Sequence, residues 1–295
     1  MLGSGRSNSS TELEKLPVPD QSPNPGQNGP VIDTTVPHSA RVWNYWLGGK
    51  DNYPVDRAAG DEYRRIFPQI VDIARTDRAF LGRAVRYLAG EAGIRQFLDI
   101  GTGLPTLDNT HEVAQRVAPD SRIVYVDNDP LVLVHARALL NSTPEGVCDY
   151  IEADLCEPGK ILDAAAATLD FAKPAAITLL GILHFISDHE QACRLAAQLM
   201  DAVPSGSYLA LTHATLDPSL GGEATAEANA EAQKYWNENA AVPITPRTRE
   251  QILRFFDGME LVEPGLVSMS RWRPEPSPFG DPPEVAGFCG VGRKK

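Results

Sequence analysis

Short apolar runs alternate with helical stretches through the middle of this chain, and that alternation limits the fold more than any other feature. The runs are RQFLDIGTG (95–103), SRIVYVDND (121–129), CDYIEAD (148–154), AAITLLGILHFI (175–186) and GSYLALTHAT (206–215). Between them, residues 109–118, 130–140, 158–168 and 188–202 repeat their apolar side chains at helical spacing. Strands rich in Val, Ile and Leu, with little polar alternation, are covered on both faces, and strands separated by helices pair in parallel. An α/β fold with a doubly wound, mostly parallel sheet follows.

Local signals agree with these boundaries. Asp129 can cap a helix that opens at Pro130, Ser187 with Glu190 forms a capping-box pattern, and Asn109 with Glu112 resembles one. Thr245 and Pro246 suggest another helix reaching about Gly258. MELVEPGLVSMSRW (259–272) and EVAGFCGVGRK (284–294) read as two late strands, joined by a Pro-rich loop into an antiparallel hairpin at the sheet edge. Upstream, residues 37–92 are expected to form a helical cap. Ile70, Ile73, Ala74, Phe80, Leu81, Val85 and Leu88 share one helical face there, and Pro54 and Pro68 break the segment. Residues 1–36, rich in Ser, Gly, Asn and Pro, are expected to be a disordered or extended arm. Residues 93–295 make the α/β domain, with a helical insert at 216–243 that contains Tyr235 and Trp236.

Composition removes several functions. Of 295 residues, 42% are hydrophobic, enough for a sizeable core, and the net charge is −12. That charge argues against a nucleic-acid binder, because phosphate contacts need clustered Lys and Arg. Cys148, Cys156, Cys193 and Cys289 form no C-x-x-C pair, so reduced thiols in a cytoplasmic protein, without a metal, are expected. No apolar run is long enough to span a membrane, and the polar N-terminus has no signal-peptide core. Neither a Gly-x-Ser-x-Gly elbow nor a Walker-type Gly-Lys-Ser/Thr occurs, which disfavours hydrolase chemistry and nucleotide hydrolysis.

Three strand ends carry the sharpest signals. LDIGTGLPT (98–106) runs from a strand through Asp99 into Gly101, Thr102 and Gly103, a turn that lets a ligand approach the backbone and the next helix's free N–H groups. A tight turn without a ligand is the plain alternative. A dinucleotide fingerprint wants Gly or Ala where Thr106 stands, so a nicotinamide-dependent oxidoreductase is only a runner-up. VYVDNDP (124–130) ends a strand at Asp127, followed by Asn128. A carboxylate there can accept from both hydroxyls of a ribose, or else cap a helix. IEADLCEP (151–158) ends at Asp154. That acid can accept from an adenine amino group while the Leu155 backbone meets the ring edge, or merely turn the chain. In order on successive strand ends, the three would hold one ligand across the C-terminal edge of the sheet.

HSARVWNYWLGGKDNYPVDR, FLDIGTGLPT, NTHEVAQ, YVDNDPLVLVHARALL and LLGILHFI carry a resemblance over about residues 37 to 293. The chain resembles class I S-adenosylmethionine-dependent methyltransferases, within an actinobacterial family first catalogued as a domain of unknown function. The resemblance implies a Rossmann-like methyltransferase fold with a seven-stranded sheet whose last strand is inserted antiparallel. It implies S-adenosyl-L-methionine as cofactor, with its methionine part at the Gly101–Gly103 turn, its ribose at Asp127 and its adenine at Asp154. It names no acceptor, for which a small molecule is expected.

That resemblance gives a task to RVWNYWLGGKDNY (41–53), which precedes the first strand by about the length of two helices. Trp43, Tyr45 and Trp46 could stack on a planar acceptor or on adenine, or attract the sulfonium. Lys50 could pair with the cofactor carboxylate, and Asn52 could join Trp43 on the acceptor side. Gly48 and Gly49 would let the chain turn close to the ligand. An ordinary cap whose aromatics dock in the core is the alternative. The insert 221–240, with Tyr235 and Trp236, could form another acceptor-pocket wall, or be a surface amphipathic helix. His184, ending the fourth strand, is the candidate general base or acceptor-orienting group, His213 a candidate substrate contact, and His111 is expected to face the cofactor or solvent. A protein that binds S-adenosylmethionine without moving its methyl is the other reading left open.

Overall fold

A computed structural model describes residues 32–295 apart from 107 and 140, so the expected N-terminal arm lies largely outside the described residues. The strands among the described residues are β1 (Gln96–Ile100), β2 (Arg122–Asp127), β3 (Val147–Glu152), β4 (Ala176–Leu180), β5 (Tyr208–Ala214), β6 (Met259–Leu261), β7 (Val267–Ser268) and β8 (Gly287–Lys294). They form one sheet in the order β3-β2-β1-β4-β5-β8-β6, with β7 also paired to β8. Strands β1 to β5 pair in parallel, and β8 runs antiparallel to β5, β6 and β7. The late strands are therefore antiparallel as expected, but β8 sits between β5 and β6 instead of forming an isolated edge hairpin.

Three helices precede β1: α1 (Ser39–Trp46), α2 (Pro54–Ile66) and α3 (Ile70–Gly90). Pro54 opens α2, where its missing N–H leaves no bond unmade, and Pro68 separates α2 from α3. All seven residues of the expected α3 stripe are buried. The strands are followed by α4 (Thr110–Val117), α5 (Pro130–Leu139), α6 (Pro158–Ala165), α7 (His189–Asp201), α8 (Glu223–Asn239) and α9 (Arg249–Leu253). Side chains alternate across the sheet with period two. Phe97, Ile123, Tyr125, Ala176 and Ala210 pack with α1 to α4 and α8, while Leu98, Ile100, Val124, Ile177, Leu179 and Leu209 pack with α6, α7 and α9.

Three expected elements end differently. The run 175–186 is strand only to Leu180, because Gly181 has φ +62° and Leu183–Phe185 form a 3-10 turn. The cap of α7 is Asp188, which accepts from the N–H groups of Glu190 and Gln191, so Ser187 is one residue early. Thr248, not Thr245, caps α9, and a 3-10 turn at Arg254–Phe256 replaces the rest of the expected helix.

The chain leaves β1 toward β2 and β3, then returns to the other side of β1 as β4. This reversal opens a crevice beyond the C-terminal strand ends, which is where open α/β sheets bind ligands. Helices α1, α3 and α8 close the crevice into a cleft of about 1490 Å³, counted out to its mouth.

Candidate active site

The floor of the cleft is the glycine turn. Gly101 has φ +75° and Gly103 φ +66°, a left-handed backbone that other residues adopt only with strain. A side chain at Gly101 would also press on Ile182, whose nearest atoms would lie 2.8 Å from its Cβ. The turn is tied to β2: Gly101 N–H donates to the Val126 carbonyl (2.8 Å) and Gly103 N–H to Asp127 Oδ2 (2.7 Å). Asp127 Oδ1 accepts the Asp129 N–H at 2.9 Å. Burial pushes the Asp127 carboxyl up and these two N–H groups pull it back, leaving it above the ordinary carboxylate range. Each oxygen retains lone-pair capacity for a further donor. Asp127, Asn128, Gly101, Thr102 and Gly103 all line the cleft.

Asp99 also lines it, yet its oxygens are committed inside the protein. Oδ2 accepts the Thr110 hydroxyl and Oδ1 the Thr178 hydroxyl, both at 2.6 Å. It fastens β1 to β4 and α4, where a cofactor contact was expected. Asp154 and Leu155 lie off the cleft wall. Asp154 accepts the Cys156 N–H (2.7 Å) and the Asn128 side-chain amide (3.2 Å), so it stands behind Asn128, while Leu155 packs in the core on the other face of the sheet.

The aromatic stretch divides. Trp43 and Trp46 are one helical turn apart, share a face of α1 and line the cleft. Tyr45, two residues from Trp43, faces elsewhere and donates to Asp61 Oδ1 at 2.7 Å. Lys50 is exposed and off the wall. Asn52 gives its amide to Asn44 Oδ1 and the Gly49 carbonyl, both at 3.0 Å. A Cβ on Gly49 would lie 2.3 Å from the Asn44 amide. Gly48 and Gly49 therefore close the end of α1 around Asn44 rather than approach a ligand. His38, just before α1, lines the cleft. Arg41 donates to the carbonyls of Asp33 and Val36 and pairs with buried Asp56, while His38 Nδ1 reaches Asp129 Oδ2 at 2.9 Å.

The histidines separate by their partners. His213 Nδ1 faces the Ala214 carbonyl at 2.8 Å, so that nitrogen carries the proton and Nε2 accepts from Arg247 Nη1 at 2.9 Å. Both ring nitrogens are used, and burial, His184 and Arg247 hold His213 neutral; it borders the cleft without a free polar atom. His184 lies on the 3-10 turn, and burial with the nearby Arg247 pushes its pKa down to about 3. Its Nδ1 is buried and has no protein hydrogen-bond partner among the described residues. His111 faces neither cofactor nor solvent: its Nδ1 and its N–H both meet the buried Tyr125 hydroxyl, at 2.8 and 2.7 Å.

The helical insert does line the cleft, through Trp236 of α8 but not Tyr235. Asn229 and Gln233 of α8 and Asp77 of α3 line it too, three residues with no site role expected from the sequence. Burial, opposed by the Thr212 hydroxyl and Arg78, pushes Asp77 up to about 6. A signal existed in each helix. Asp77 occupies a position of the Ile70–Leu88 apolar stripe, and Asn229 and Gln233 share a stripe with Trp236.

Comparison with known proteins decides the family. The description "S-adenosyl methyltransferase" matches residues 25–295. The chain belongs to that S-adenosyl methyltransferase family. It is 43% identical to a DUF574 family protein of Streptomyces avermitilis MA-4680, over 90% of this chain and 100% of that one, with a TM-score of 0.83. A protein of Thermobifida fusca YX, provisionally described as a methyltransferase, is 44% identical over 89% of this chain and 97% of its own, with a TM-score of 0.79. No curated protein sequence matches. Membership makes the chain an S-adenosylmethionine-dependent methyltransferase and displaces the nicotinamide reading. No described helix is long and apolar enough to cross a membrane.

Proposed function

We propose that this enzyme methylates a small molecule held between the strand ends and the helical wall of α1, α3 and α8, with S-adenosylmethionine lying along the strand ends. The carrying observation is Asp127, a buried carboxylate at the end of β2 whose second oxygen already fixes the Gly103 N–H. The cradle fits the cofactor. A Cβ on Gly103 would meet nothing within 4 Å, so backbone there is open to a close ligand, and Asp127 has the lone pairs two ribose hydroxyls need. Thr102 and Gly103 would border the amino-acid part, Asp127 the sugar, and Asn128, braced by Asp154, the base.

Bound there, S-adenosylmethionine supplies an electrophilic methyl on a sulfonium sulfur. The protein's own contribution is position and dryness: the helical cap shuts out water, and the aromatic wall fixes the acceptor in line. His184, neutral at physiological pH, orients the acceptor through a ring nitrogen rather than by charge. Tyr45, Lys50 and Asn52 serve the cap and not the ligand.

Titration calorimetry with S-adenosylmethionine and S-adenosylhomocysteine tests this. Both are expected to bind to wild type, and Asp127→Ala is expected to weaken both by about 100-fold, the equivalent of about 2.8 kcal/mol. Unchanged affinity in Asp127→Ala would remove the ribose assignment.

A further inference from the structure

We infer that the methyl acceptor is a planar aromatic molecule bearing a hydroxyl group, and that Asp77 takes the proton of that hydroxyl as the methyl arrives. The inference rests on the methyltransferase reading of the cleft. Its first support is shape. Trp43, Trp46, Tyr63 and Trp236 run along the helical wall as one chain of ring contacts, with successive centroids 5.8, 5.2 and 6.4 Å apart. A wall lined by four aromatic side chains favours an aromatic guest.

Polarity is the second support, and it follows from one fixed carbonyl. The Thr215 carbonyl only accepts, so Asn229 turns its Nδ2 to it at 3.1 Å. Asn229 Oδ1 is then left to accept, and takes Nε2 of Gln233 at 3.1 Å. Gln233 must therefore present Oε1, which is buried and has no protein hydrogen-bond partner among the described residues. Asp77 presents a carboxylate to the same cleft. Both groups accept, so the guest must donate. An aromatic carrying only acceptors would leave Gln233 Oε1 unpaired in a dry site.

The third support is the position of a carboxylate within an apolar helix stripe. The charged and titratable groups around Asp77 are Arg78 on its own helix, Asp99 on β1, Cys289 on β8, whose thiol burial pushes well up so that it stays neutral, and His184 and His213 across the cleft, both neutral. Arg78 and the Thr212 hydroxyl of β5 favour its ionised form, while burial and Asp99 oppose it. The result is a carboxylate that is ionised at neutral pH but more basic than an exposed one. An amine attacks through a lone pair with its N–H still in place, whereas a hydroxyl oxygen must lose its proton within reach of a base. A base in the wall therefore points to a hydroxyl. In the step, the O–H bond breaks and its proton passes to the Asp77 carboxylate. The oxygen bonds to the methyl carbon as the carbon–sulfur bond breaks, and that electron pair stays on sulfur. The products are a methyl ether, a neutral thioether and protonated Asp77, which returns its proton to solvent at the cleft mouth.

The test follows labelled methyl from S-adenosylmethionine into matched panels of hydroxyarenes, anilines and aliphatic alcohols, using the full chain. Hydroxyarenes are expected to be methylated. Asp77→Asn is expected to lower kcat by about 10²–10⁴-fold with little change in acceptor KM, the scale of a lost general base. The wild-type rate should climb with pH until Asp77 is ionised, near 6, then level, and that limb should vanish in Asp77→Asn. The variant should bind S-adenosylmethionine as wild type does and melt higher at pH 8, having lost a buried charge, so a lost rate is not misfolding. Wild-type kcat in Asp77→Asn would overturn the inference. So would methylation of anilines or alcohols in preference to hydroxyarenes, or of no hydroxyarene while S-adenosylmethionine binds. A wild-type chain that fails to bind S-adenosylmethionine would overturn the cofactor reading beneath it, and this inference with it.

Discussion

On the strand-end side of the cleft, Asp99 and Asp127 give each carboxylate oxygen a donor from the protein itself, at 2.6 to 2.9 Å. Elsewhere on the cleft wall, Gln233 Oε1 of α8 and His184 Nδ1 of the turn after β4 are buried without a protein hydrogen-bond partner among the described residues. The first side is complete before any ligand arrives, and its remaining lone pairs add to a rigid frame. The second keeps polar atoms unpaired, which is unfavourable by about 1–3 kcal/mol for each buried group.

The largest expected effect comes from breaking the complete side. Gly101→Val adds about 1–2 kcal/mol of left-handed backbone strain and displaces Ile182, so it should lower the melting temperature sharply and abolish measurable S-adenosylmethionine binding. Asp99→Ala leaves the Thr110 and Thr178 hydroxyls without their acceptor and should cost about 3 kcal/mol in denaturant unfolding. Thr212→Val removes the hydroxyl that favours ionised Asp77 and should push the Asp77 carboxyl further up, read as a shift of its pH titration. Tyr45→Phe loses a part-exposed bond to Asp61 and should move stability by no more than about 0.5 kcal/mol, with cofactor affinity unchanged.

The pH dependence of stability separates the same groups. His184, neutral down to about 3, refuses a proton that the unfolded chain takes up at 6.5. Its contribution is full above 6.5 and is lost as pH falls toward 3. Asp77 works oppositely: it holds a proton up to about 6 that the unfolded chain releases near 3.8, so stability gains as pH falls through that window. Thermal melts of wild type and Asp77→Asn against pH should therefore differ by the gain that Asp77 makes as pH falls below about 6.

Much of the frame was legible in the sequence because it obeys periodicity. The strand runs, the α3 stripe, the Asn109–Glu112 box and the glycine turn all appear where spacing and backbone requirements place them. What failed was direction. Tyr45 was grouped with Trp43 by nearness in sequence, although two residues on a helix point to opposite sides. Asp99 and His213 stand at the right strand ends, but their polar atoms are spent on Thr110, Thr178, Ala214 and Arg247, partners distant in sequence or set by tautomer. Asp77 was missed because a carboxylate inside an apolar stripe reads as noise until the cleft behind it is seen.

The most direct test of a cleft with one finished and one unfinished side is a crystal structure of the enzyme with S-adenosylhomocysteine. The sugar hydroxyls should meet Asp127, and the sulfur should point toward Asp77, Gln233 and the Trp43–Trp236 wall. A ligand bound with its sulfur turned away from those residues, or outside the cleft altogether, would contradict it.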